Sequence, residues 1–345
     1  MIAAAQNTWW RLAVVLALIA IAIVMLWWRG PEWGLVADAF RLVEWTWIFA
    51  AIGLNLLSAV SRALAWHTVV KQALRDHAPP FERTFSAFGI GLLANAVLPA
   101  RTGELARVAV LTRRLPRGRG YTATLLGTVF THRLFDVIPA MLLVVYVLLT
   151  AKIPHWALTS IAIAAAIGGI LLVFALITSR LRKPVVDELS RLRRLLAMAR
   201  NGLDVLRSPA AAALAIFFQC LGWLLQLFAV WVAMRAFDID APLPAAGLVL
   251  LLMNIATIFP LWPGNIGLLQ AAVALPLVSY GVPYTTGFAY GLGLQMLEMS
   301  VGVGVGIVFL AREGISFATL RHMPDQTEPR LHVVTEEEPA RARSA

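Results

Sequence analysis

The chain has 345 residues, of which 60% are hydrophobic and 14% charged, with a mean hydropathy of +0.77. A soluble domain carries about 25% charged residues, so this composition excludes an ordinary soluble enzyme and makes membrane spans the unit to count. The net charge of +10 would point a soluble protein toward nucleic acid. In a membrane chain basic residues gather in cytoplasmic loops instead, and no nucleic-acid partner is expected.

Six apolar runs are long enough to cross a bilayer, at about 12–28, 46–66, 121–149, 156–179, 210–234 and 285–311; a crossing helix takes ~20 residues for ~30 Å of hydrocarbon. The first follows Arg11 and precedes Trp27-Trp28-Arg29 rather than small residues, so it reads as an uncleaved helix and not a signal peptide. Two further regions are too short. Residues 84–98 stop at Pro99, and residues 245–259 stop at PLWPGNIG (260–267), which a short run at 268–280 follows. At 1.5 Å per residue such arms reach only ~22 Å. Pro99 and Gly103 in the first region, and Pro260 and Pro263 in the second, break the helix. Broken backbone at membrane depth is tolerated only where it lines a cavity or is buried in protein. Both regions read as re-entrant hairpins.

Charge tests this topology. With the N-terminus in the cytoplasm and both regions as hairpins, the clusters Lys71–Arg75–Arg83 and Arg113–Arg114–Arg117–Arg119 share the inside. The basic stretch 180–207 and the tail join them there. A single crossing at the first region would separate the two clusters, against the positive-inside bias. Each half then reads span, span, hairpin, span, with the second half upside down. Both tips carry Asn, Pro and Gly in order: Asn95, Pro99, Gly103 and Asn254, Pro260, Gly264. The expected architecture is an all-α polytopic membrane protein with six transmembrane helices and two re-entrant hairpins in an inverted-topology repeat, a type whose paired breaks mark a midplane site. The membrane domain is 1–311, with repeats at about 12–149 and 156–311. Residues 180–209 form a basic amphipathic linker on the inner leaflet, or a solvated loop that only enforces topology. Residues 312–345 form a polar, disordered tail. Both termini are expected in the cytoplasm, in a cell (inner) membrane.

Ionisable residues at membrane depth are costly and therefore informative. Arg101, Glu104 and Arg107 follow the first break at i, i+3 spacing. A helix starting at Thr102 also aims backbone N–H groups at any anion there, and arginine suits phosphate. The alternative is an Arg–Glu–Arg network that only pins the hairpin. Arg133 and Asp136 lie i, i+3 in THRLFDVIP, either neutralising each other or with Asp136 holding Arg133 toward a head group. His132 points elsewhere on that helix and reads as polar packing. The second break carries Asn254, Gly264, Asn265, Gly267 and Gln270, without formal charge. Glu298, with Gln295 at i−3, either takes a proton or pairs with Arg62 or an arginine of the first hairpin. Gly302-x-x-x-Gly306 reads as close helix packing and not as a nucleotide loop. Cys220 is the lone cysteine, the histidines lack metal-ligand spacing, and no catalytic motif or cofactor fingerprint is present, so no enzyme activity, metal or cofactor is expected.

Three motifs in order carry a resemblance. NAVLPARTGELARVAVL is similar to the Asn, Pro, Gly-Glu and Arg pattern of the lysylphosphatidylglycerol synthase transmembrane, or flippase-like, family. HRLFD resembles its Glu-Arg-Leu-x-Asp segment, and FPLWPGNIGLLQAAV its Pro-Gly-x-x-Gly-x-x-Glu segment. The resemblance covers roughly 10–310. His132 and Gln270 stand where that family tends to have Glu. The resemblance implies movement of lipids between leaflets, by the membrane half alone, without the soluble aminoacyl-transferase domain that some members carry.

The expected function is an integral membrane lipid translocase for an anionic phospholipid or a polyprenyl-phosphate-type lipid. Arg101, Arg107 and Arg133 would hold the head group, and Glu104 and Asp136 would orient them and ease release. The rivals are a small-solute or ion-coupled transporter, an intramembrane enzyme of lipid modification, and an accessory subunit of a separate lipid-modifying enzyme. The sequence carries no reading of oligomeric state.

Overall fold

The computed structural model describes residues 32–98, 102–116, 121–180, 208–258 and 265–314. The expected first span, Pro99, Arg101, Pro260, Pro263, Gly264, the basic linker and most of the tail lie outside the described residues. Among those described there are ten α-helices, one 3₁₀ turn and no strand. The helices are α1 (Trp33–Arg41), α2 (Trp45–Leu74), α3 (Phe81–Val97), α4 (Gly103–Thr112), α5 (Tyr121–Thr150), α6 (His155–Arg180), α7 (Pro209–Ala236), α8 (Leu243–Ile258), α9 (Leu268–Val278) and α10 (Tyr284–Arg312).

Four helices, α2, α5, α7 and α10, are long and apolar enough to cross a membrane. The apolar stretches His155–Ile170 of α6, Leu243–Thr257 of α8 and Leu268–Val278 of α9 are shorter. The two regions expected to be too short to cross are indeed helices of 17 and 16 residues (α3 and α8), followed by helices of 10 and 11 (α4 and α9).

Local chemistry explains the boundaries. α2 stops where Arg75 takes a φ of 44°, a left-handed turn costly for a side-chain-bearing residue, and Pro79-Pro80 prevents resumption. Pro209 starts α7 at its first turn, where its missing N–H costs nothing. Pro139 sits inside α5 without ending it. α1 was not expected. It is nine residues long, far too short to cross, and docks by aromatic edges: Trp33 on Phe288 and Phe40 on Phe237.

The packing has a repeating plan. α2 lies along α7, α3 pairs with α4 as α8 pairs with α9, and α4 meets α5 as α9 meets α10. α10 packs on α3 and α5 on α8. One core gathers Trp66, Ile90, Leu93 and Leu111, the other Leu248, Leu250, Leu277, Phe288 and Leu294. At the α2–α7 seam small residues let backbones approach. Ser58 Oγ donates to the Gly222 carbonyl at 2.7 Å and Ser61 Oγ to that of Phe218 at 2.8 Å. A Cβ on Gly222 would sit 2.8 Å from Arg62 Cγ. Leu57, Leu142, Phe217 and Ile170 remain exposed on the outer faces, as hydrocarbon solvent requires.

Candidate functional site

The site begins with how closely α3 and α4 meet. A Cβ on Gly91 would lie 2.9 Å from the Gly103 carbonyl and 3.1 Å from Arg107 Cβ, so only glycine fits. Asn95 Oδ1 accepts the Gly103 N–H at 2.9 Å, satisfying one of the donors that a helix start leaves open. Thr102 is the N-cap residue of α4, where the sequence placed the helix start.

From there Glu104 and Arg107 share one face of α4. Arg107 is 3% exposed, its guanidinium 4.7 Å from the Trp66 ring centre and 5.8 Å from that of Phe88. Its partner is Glu104, whose carboxylate bridges Arg107 and Arg133. Arg133 Nη1 reaches Asp136 Oδ2 at 3.2 Å. The other oxygen of Asp136 accepts from Gln219 and, at 2.9 Å, from Trp223 Nε1. One continuous network thus runs from α4 through α5 to α7.

A second chain lies beside it. Arg62 Nη2 donates to Gln226 Oε1 at 2.5 Å, and Gln226 Nε2 donates to Glu298 Oε1 at 3.2 Å. Arg62 also lies 5.3 Å from the Trp223 ring centre, so Trp223 touches both chains. His132 Nε2 donates to the Arg62 carbonyl at 3.1 Å. Because a carbonyl only accepts, the ring proton must sit on Nε2.

These side chains wall a cavity of about 310 Å³. Arg62, Glu104, Arg107, His132, Arg133, Gln226 and Glu298 line it, with Asn55, Ser58, Asn95 and Gly103. Ala59, Leu92, Ala96, Met299 and Val301 make the rest apolar. In the described cluster three guanidiniums face three acidic side chains, Glu104, Asp136 and Glu298. It has surplus donors. Among the described residues, Nε of Arg62 and Nε of Arg107 are buried without a hydrogen-bond acceptor, and the Arg133 side chain is 53% exposed. Buried donors without acceptors are rare and need a reason. An anion with several oxygens would satisfy them, since charge-assisted hydrogen bonds are the strong ones.

Of the expected site residues, Asn95, Gly103, Glu104, Arg107, Arg133 and Glu298 line this cavity, and Asp136 holds Arg133. The second break does not contribute to its described wall. Asn254 bonds back to Leu250 in its own helix at 2.8 Å, and Asn265 Nδ2 reaches the Ala256 carbonyl at 3.2 Å. Gly267 has a φ of 94° and its N–H donates to Gln270 Oε1 at 2.6 Å. Gln270 Nε2 then donates to Gln295 Oε1 at 2.6 Å. These residues build the start of α9 and fasten it to α10.

The structure differs from expectation at His132, which lines the cavity instead of facing away. The ring is drawn in by the Arg62 carbonyl. The sequence reading also passed over Asn55, Gln219, Trp223 and Gln226. Their signal is periodic: Asn55, Ser58 and Arg62, and Gln219, Trp223 and Gln226, recur at helical spacing, each a polar stripe on an otherwise apolar helix.

Apolar helices long enough to cross and a charged cluster at their mid-height define a multi-pass membrane protein. Residues 9–306 match the model of the lysylphosphatidylglycerol synthase TM region, and the chain belongs to that family. It is similar to a UPF0104 membrane protein of Methanothermobacter thermautotrophicus strain Delta H, 23% identical over 317 residues, which is 84% of this chain and 90% of that protein. No solved structure matches it.

Proposed function

We propose that this protein moves a lipid with an anionic, phosphate-bearing head group between the leaflets of the cell membrane. The head group enters the cavity while its tails stay in the hydrocarbon. One observation carries this reading: Arg62, Arg107 and Arg133 line one cavity among apolar helices, and the Nε donors of Arg62 and Arg107 are buried there without an acceptor. Glu104 and Asp136 hold the arginines in place and offset part of their charge, which keeps phosphate binding weak enough for release. Arg101 lies outside the described residues and enters this proposal by sequence position alone.

An inverted repeat of two three-span units, each with a re-entrant hairpin, is the architecture we infer for this task. Two facts support it. The packing is mirrored: α3 meets α4 and α10 as α8 meets α9 and α5, and α2 and α7 lie along each other. A constant offset also links the halves: Ser58 bonds Gly222 and Arg62 bonds Gln226, both 164 residues apart, and Pro99 and Gly103 precede Pro263 and Gly267 by the same 164. Equivalent residues that touch each other lie on a pseudo-two-fold axis. That is where inverted-repeat transporters place their substrate. Both termini then lie in the cytoplasm.

The test is transfer of a fluorescent phosphatidylglycerol in proteoliposomes. Hydrogen bonds to charged groups are worth ~1.5–3 kcal/mol, so Arg133→Ala and Arg62→Ala should each slow transfer about tenfold or more. Wild-type rates in both variants would remove the head-group site.

A further inference from the structure

Glu298 differs from the other carboxylates of the cavity. Glu104 contacts Arg107 and Arg133, and Asp136 contacts Arg133. Glu298 forms no ion pair among the described residues; it accepts from the side-chain amide of Gln226. The direction of that contact is forced. Arg62 can only donate, so Gln226 must turn its oxygen to Arg62 and its NH₂ to Glu298. A neutral amide is thereby wedged between the guanidinium and the acid. The Glu298 oxygen that accepts from Gln226 can do so in a carboxylate or, more weakly, in a neutral acid, and the second oxygen can carry hydrogen.

From α2, Arg62 faces Glu298 only across Gln226. From α4 and α5, Glu104, Arg107, His132 and Arg133 line the same cavity but are engaged with one another or with the Arg62 carbonyl. α3 presents the neutral Asn95 and α7 the neutral Gln226. α9 carries no ionisable residue, and Asp38 and Arg41 of α1 pair with each other in the open. On α10 itself, the Tyr290 hydroxyl is spent on the Val230 carbonyl at 2.6 Å. The residues next to Glu298 in the chain that line the wall are Met299, Val301 and Gly302.

We propose that Glu298 is a proton-binding site of the cavity, protonated when the cavity is empty. An isolated carboxylate at membrane depth without a cationic contact is costly, and the usual outcome is that the group holds a proton. On release the proton leaves the second carboxyl oxygen for water entering the cavity, and on rebinding it is taken from water. Arg62, its hand freed from Gln226, is then the cation that meets the new carboxylate. The site would let a proton gradient bias which way the cavity is loaded.

The deciding measurement is infrared difference spectroscopy on the full chain reconstituted in phosphatidylcholine vesicles, with ¹³C-labelled glutamate. At neutral pH the wild type should show the carbonyl stretch of a protonated carboxylic acid, shifted by the label and absent from Glu298→Gln. Glu298→Asp should keep an acid band but lose the isotope shift, which covers the case that the glutamine variant fails to fold. No protonated-glutamate band in the wild type, or an isotope-shifted band surviving in either variant, overturns the proposal. This readout needs no lipid transfer, so it decides the proton site whether or not the lipid reading holds.

Discussion

Glu104 is the residue on which the site turns, because one carboxylate answers two guanidiniums. Arg107 beneath it has a side chain only 4% exposed and depends on that carboxylate for charge. Removing one partner of a buried pair costs ~3–5 kcal/mol, mostly because the other charge is stranded. Glu104→Gln should therefore lower the thermal midpoint in detergent sharply, and Glu104→Gln with Arg107→Met should recover most of the loss. Equal midpoints for the single and double variants would mean that Arg107 does not need its partner. Gly103 is a steric counterpart. An added Cβ would run into the Gly91 carbonyl and the Asn95 side chain, backbone that cannot yield cheaply. Overpacking of this kind costs ~1–3 kcal/mol, so Gly103→Ala should lower the same midpoint while Gly53→Ala, which meets open space, should leave it unmoved.

Among the elements, α3 and α10 cross closely beside the site. A Cβ on Gly306 would collide with Leu93 Cβ and lie 2.9 Å from the Gly89 carbonyl, and one on Gly89 would lie 2.8 Å from Val305 Cγ1. A Cβ on Gly302 would lie 3.7 Å from Leu92 Cβ. The glycine repeat in α10 is thus a packing surface, as its spacing suggested. Polar contacts lock the end of the crossing. Arg114 donates to Glu313 Oε2 at 3.0 and 2.5 Å, Ser86 Oγ to Glu313 Oε1 at 2.9 Å, and Arg312 to Glu82 at 2.8 Å. Partial burial alone would raise the Glu313 carboxyl, but the hydrogen bonds from Arg114 and Ser86 and the charge of Arg114 bring it below its ordinary value of 4.5. A carboxylate depressed in the folded state contributes stability above its unfolded value and loses it as pH falls through the folded one. Hydrogen-exchange protection at the start of α3 and the end of α10, taken relative to the intrinsic rate at each pH, should therefore fall on acidification below about pH 4.5. Glu313→Gln should already be poorly protected at neutral pH and lose little more; a full acid response in that variant would assign the effect to another group.

For the whole molecule the question is how the halves are oriented. If both breaks are re-entrant from opposite faces, residues 75 and 117 lie on the same side of the bilayer. Cys220 is the lone cysteine, so a Cys220→Ser background is clean. In it, Arg75→Cys and Arg117→Cys should both react with an impermeant maleimide only from the cytoplasmic side. Opposite accessibility would end the inverted repeat.

Much of this molecule was legible along the chain, for a local reason. Hydropathy is a property of contiguous residues, so five of the expected runs coincide with helices, and the short arms at α3 and α8 betrayed themselves by length and proline. Glu104, Arg107, Arg133 and Asp136 stood out because a charge in hydrocarbon is costly wherever it is. α1 was missed because nine residues with an apolar edge look like loop. Arg62 was among the partners considered for Glu298, but Gln226, which stands between them, was missed because an amide costs too little in an apolar run to attract notice, and it lies 164 and 72 residues from the two. Sequence alone decided which residues must live in oil and where the backbone must break, since both follow from neighbours in the chain. Only the tertiary structure decided which acid meets which guanidinium and which meets none, because attraction between charges depends on their separation in space, and that separation is set by helices brought together from opposite halves.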